Sequence, residues 1–105
     1  MAWIYLILAG IFEIGWPVGL KMAQGEEYRI TGIVIAVLCM AASGYLLWMA
    51  QKVIPIGTSY AVWTGIGAAG TFFVGVLFYN DPASFMRFIG VAFIIAGVVF
   101  LKFAS

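Results

Sequence analysis

Four long apolar runs, parted by three short polar breaks, make up nearly the whole chain. The runs cover about residues 2–22, 30–50, 57–79 and 84–103, and the breaks centre on Gly25-Glu26-Glu27, Gln51-Lys52 and Asn80-Asp81-Pro82. About 20 apolar residues carry an α-helix across a bilayer, so the pattern predicts four membrane-spanning helices and an all-α protein. The breaks are too short for a second domain. They predict one unit over residues 1–105, an up-down four-helix bundle with both termini on one side. Asp81 or Ser84 is the expected cap of the fourth helix, with Pro82 near its first turn.

One position breaks the apolar pattern deeply. Glu13 sits in the middle of the first run, and no other Asp or Glu lies far inside an apolar stretch. A charge at that depth is costly, and such residues usually face protein or water and carry function. Composition then narrows the chemistry. The chain is 66% hydrophobic and 9% charged, more apolar surface than a soluble domain of this size can hide, so lipid is its solvent. A net charge of +1 offers no basic face for nucleic acid. There is no histidine, so proton exchange near neutrality falls to a carboxylate. No metal site, phosphate loop or hydrolase triad can be assembled, and no cofactor or enzyme activity is expected. The single cysteine, Cys39, reads as a small buried hydrophobe. The first run lacks a basic leader and a cleavage site and reads as a retained span.

Residues three, four and seven apart share a helix face. Leu6, Gly10, Glu13, Trp16, Pro17 and Leu20 therefore lie near one stripe. Gly10 leaves space one turn before the acid and Trp16 sets a ring one turn after it. Pro17 has no N–H for the carbonyl of Glu13, which predicts a kink and a free acceptor. On the third helix Tyr60, Trp63, Thr64, Gly67 and Thr71 share a face, and Gly65-Ile66-Gly67 is a candidate hinge because glycine weakens a helix interior. Ser43 interrupts the second helix; it either bonds its own helix backbone or reaches the acid. Tyr60 and Trp63 either form an interfacial aromatic belt or complete the site.

A carboxylate in apolar surroundings can hold a proton or a cation near neutrality, and competition between the two at one alternately exposed site is antiport. Ser43, Tyr60 and Trp63 are candidate donors to it, and the rings of Trp16 and Trp63 can stack on a flat cation. One four-helix subunit is thin for such a path. Gly90 and Gly97, seven apart on the fourth helix, offer a close-packing seam for a dimer whose two acids would titrate together. Lys21, Arg29 and Arg87 on one side face Lys52, Lys102 and the terminal amine on the other. That balance gives little topological preference and fits insertion in both directions, which supplies inverted symmetry.

The run Pro55-Ile56-Gly57-Thr58-Ser59-Tyr60-Ala61-Val62-Trp63-Thr64-Gly65-Ile66-Gly67, with Glu13 in the first helix and a glycine-containing fourth helix, resembles the small multidrug resistance transporters over the whole chain. Trp3, Gly10, Trp16, Leu20-Lys21, Thr58, Thr64 and Leu101-Lys102 are most similar to its guanidinium-exporting branch. The resemblance implies an antiparallel, dual-topology homodimer in the bacterial inner membrane that exports guanidinium in exchange for protons. Glu13 would be the shared proton and substrate site, with Gly10, Trp16, Ser43, Tyr60 and Trp63 around it. Pro17, Ser59 and the acidic first loop depart from the branch. They leave room for substituted guanidines and for a heterodimeric partner. Rival readings are an exporter of lipophilic quaternary ammonium cations, a channel, and a non-transporting membrane assembly subunit.

Overall fold

A computed structural model describes residues 1–104. Its elements are four α-helices: α1 (Ala2–Met22), α2 (Arg29–Ala50), α3 (Ile56–Phe78) and α4 (Phe85–Ala104). All four are long and apolar enough to cross a membrane. Large apolar side chains point outward along them, Ile30 at 77% and Phe93 at 74% exposure among them. A surface of that kind is stable only against acyl chains.

Glycine contacts fix how the helices run. Cβ atoms added at Gly15 and Gly19 would meet Cys39, and Gly32 with Ala36, so α1 and α2 are antiparallel and nearly backbone to backbone. Gly10 abuts Ile66, Gly67 abuts Glu13 and Gly70 abuts Ile14, so α1 and α3 run parallel. Gly65 abuts Val98 and Ile94, and the Phe72 and Phe88 rings meet edge to face at 5.4 Å, so α3 and α4 are antiparallel. Small residues permit such approach where hydrophobic burial gives no drive.

The helices alternate up and down as expected, but they do not close on one another. The helices lie in a row, in the order α2, α1, α3, α4, within a slab of 44 × 34 × 16 Å. The physical cause is α1, which spends one glycine face on α2 and another on α3 and has none left for α4. The backbone of α4 packs on α3 alone, and Val91 is its only buried residue among those described. The row is curved: α2 and α3 scarcely touch, yet converge at one end, where Leu6, Ala50, Ile54 and Val62 form a core. Ser59, fully buried, closes the turn there by donating to the Ile54 carbonyl at 3.3 Å, so this departure from the family pattern faces the turn. Lys102 lies 4.9 Å from the centre of the Trp3 ring, which puts both ends of the chain at that same edge.

Of the two caps expected for α4, the structure uses Ser84, its hydroxyl accepting the Arg87 N–H at 3.3 Å, and Pro82 stands before the helix. Pro17 is carried inside α1 without interrupting it.

Candidate functional site

The concave side of the row is a groove of about 570 Å³. Its floor is α1, through Glu13, Trp16 and Pro17. One wall is α2, through Met40, Ser43, Gly44 and Leu47. The other is α3, through Tyr60, Trp63, Thr64, Gly67, Ala68 and Thr71. Because α2 and α3 part company beyond the core, the floor between them is uncovered and the acid on it is reachable.

Glu13 is held at two points. The Trp16 indole N–H, one turn on along α1, donates to Oε1. Behind it the side chain lies against Gly67, where a Cβ would collide with Cγ and sit 3.1 Å from Cβ of the acid. An ionised acceptor makes such a hydrogen bond roughly twice as strong as a neutral pair. The acid so held is one of the groove's lining residues.

The remaining candidates form a separate relay. Trp63 Nε1 donates to Ser43 Oγ at 2.8 Å, and Ser43 donates onward to the Ala9 carbonyl at 2.7 Å. Ser43 is 1% exposed and its proton goes to α1, across the helix interface and not back to its own helix. An indole has one N–H, so neither Trp63 nor Ser43 donates to Glu13 in this arrangement, contrary to the expected direct network. The relay instead pins all three helices at the level just above the acid. Tyr60 is 56% exposed, its ring 5.5 Å from that of Trp63, on the wall of the groove.

Gly10 does not line the groove. It faces Ile66, where an added Cβ would lie 2.7 Å from two side-chain carbons, so its role is the α1–α3 contact. Gly65 and Gly67 occupy contact positions, against α4 and Glu13, within an unbroken α3. Gly90 and Gly97 face open space: a methyl group added to either would have nothing within 4 Å among the described residues. Sequence reasoning did not single out Met40, Gly44, Leu47 and Ala68 as groove residues. They carry no polar signal and become visible only when α2 and α3 diverge.

The family model for Small Multidrug Resistance protein matches residues 1–94. The chain belongs to the small multidrug resistance family. Its relatives in that family include proteins named guanidinium exporter. One, from Yersinia pseudotuberculosis, is 47% identical over the full length of both chains. Those of Escherichia coli K12 and Salmonella typhimurium are 44% and 42% identical, over all of this chain and 99% of theirs. As a small multidrug resistance protein with four apolar spans, the chain is a multi-pass transporter of the bacterial inner membrane. In that frame the groove, which joins three of the spans around one acid, is the site to be explained.

Proposed function

We propose that this protein is a proton-coupled antiporter that exports guanidinium or small substituted guanidinium cations, working as an antiparallel, dual-topology homodimer. The observation that carries the reading is the solitary carboxylate on the floor of an aromatic-walled groove, with one oxygen held by Trp16. Guanidinium presents paired N–H groups that match carboxylate oxygens, and its flat face suits the Tyr60 and Trp63 rings. The full-length relatives named guanidinium exporter support the same substrate class.

A proton on Glu13 removes the charge that holds the cation, so the two ligands exclude one another. That exclusion couples their opposite movements. The homodimer is supported by shape. A groove of about 570 Å³ is far larger than one small planar cation needs, and a single row of helices leaves it uncovered. A second copy, packed through the open Gly90 and Gly97 face and inserted the other way up, would close it and bring a second Glu13 opposite the first.

The test is uptake in proteoliposomes. A proton gradient should drive guanidinium transport by the wild type and none by Glu13→Gln, while Glu13→Asp keeps part of it with a displaced pH profile. Guanidinium affinity should fall as pH falls, because protonation empties the site of charge. Coupled transport by the Gln variant, or affinity independent of pH, would refute the reading. Tight tetraphenylphosphonium binding without guanidinium binding would favour a lipophilic-cation exporter.

A further inference from the structure

A second, smaller cavity of about 190 Å³ lies between α1 and α3 toward the loops at residues 23–28 and 79–84, lined by Val18, Lys21, Val74, Gly75, Tyr79 and Asp81. It shares Pro17 and Thr71 with the main groove. The two cavities therefore have one wall residue of α1 and one of α3 in common, and on these parallel helices both follow by four residues the contact of Glu13 with Gly67.

Pro17 leaves a backbone acceptor without its usual donor, and the Thr71 hydroxyl makes no hydrogen bond in the described residues, so its lone pairs are unused. In an α-helix the carbonyl of residue 13 points along the axis at the N–H of residue 17, which proline lacks. The ring standing in that place bounds both cavities, and no side chain in the described residues donates to the Glu13 carbonyl. Thr71 likewise has no hydrogen bond from its hydroxyl in the described residues, whereas Thr64 on the same helix bonds back to the Tyr60 and Ala61 carbonyls. A freed backbone group at membrane depth is tolerable where it meets a wet or ligand-bearing cavity.

Resting on the antiporter reading, we infer that the Glu13 carbonyl released by Pro17 and the Thr71 hydroxyl form a second, non-titrating acceptor pair for the N–H groups of the cation. The pair sits where the linings of the groove and of the Lys21–Asp81 cavity overlap. The carboxylate supplies charge; the pair supplies selection for N–H-bearing cations over those without donors.

The experiment is guanidinium affinity of the full dimer against pH, carried to the alkaline plateau where Glu13 is ionised throughout. Pro17→Ala restores the donor and ties up the carbonyl; loss of one charge-assisted hydrogen bond predicts about a tenfold weaker plateau. An α-hydroxy acid at position 17, which lacks both ring and N–H, should keep the wild-type plateau, and Thr71→Val should lower it. If Pro17→Ala only slides the curve along the pH axis and reaches the wild-type plateau, Pro17 acts through the proton affinity of Glu13 and the inference is overturned. A lowered plateau in the hydroxy acid variant overturns it too, because the ring would then be what matters. Absence of guanidinium binding by the wild type at every pH would instead sink the antiporter reading itself.

Discussion

Adding one methyl group at Gly67 should disarm the acid without unfolding the protein. Gly67 is buried in α3, and its Cα is the surface on which the Glu13 side chain rests. In Gly67→Ala the new Cβ overlaps Glu13 Cγ, so the acid must change rotamer and release the Trp16 indole. A hydrogen bond to a charged group is worth about 1.5–3 kcal/mol, which is about 10- to 100-fold in affinity. Gly65→Ala is the matched control. Its Cβ would lie 2.5 Å from Val98 and 3.5 Å from Ile94, contacts with α4 that do not reach Glu13. Overpacking of that kind costs about 1–3 kcal/mol of stability and should leave affinity near the wild-type value. Calorimetric titration of guanidinium into both variants at alkaline pH, with thermal unfolding measured beside it, separates the effects. Equal losses of affinity in the two variants would refute the reasoning. So would unchanged affinity in both with slowed turnover, the result expected if Gly65-Ile66-Gly67 is chiefly a hinge.

Ser43→Ala should destabilise the protein by about 1–3 kcal/mol, because the half-buried Trp63 N–H loses its acceptor, and denaturant unfolding followed by tryptophan fluorescence will read this. Gly19→Ala should weaken the α1–α2 pair more than a typical surface change. Its Cβ would fall 2.7 Å from the Ala36 nitrogen and the Gly32 oxygen, backbone atoms that cannot step aside, so a lowered melting temperature and poor expression are expected. Gly90→Leu and Gly97→Leu should leave the isolated subunit unstrained, since each opens on empty space; a loss of cross-linked dimer in membranes would place both at the subunit seam.

The helices were legible because lipid imposes a simple rule: a run must be apolar for its full crossing, and polar breaks mark its ends. The breaks at Gly25-Glu26-Glu27 and Gln51-Lys52 lie in the connections that the structure shows. The prominence of Glu13 followed from the same rule, read in reverse. What the sequence did not disclose was which neighbour each glycine meets. Gly10 and Gly67 look alike on a helical wheel, yet one meets Ile66 and the other the acid. The direction of the Ser43 proton was equally hidden, because a serine can serve its own helix or another with similar ease, and only the crossing of α2 over α1 brings Ala9 within reach. The row arrangement was beyond reach for a related reason. Apolar periodicity says that a face is buried or greasy, and in a bilayer those two states use the same residues.

The loose attachment of α4 has an evolutionary corollary. This helix meets the rest of the chain chiefly through α3 and, among the described residues, contributes nothing to the groove lining. If the proposed homodimer forms through the Gly90 and Gly97 face, gene duplicates can alter whom they pair with by substitutions between residues 85 and 104 while inheriting the transport chemistry intact. Selection on partnership and selection on cargo would then leave their marks on different parts of one short chain.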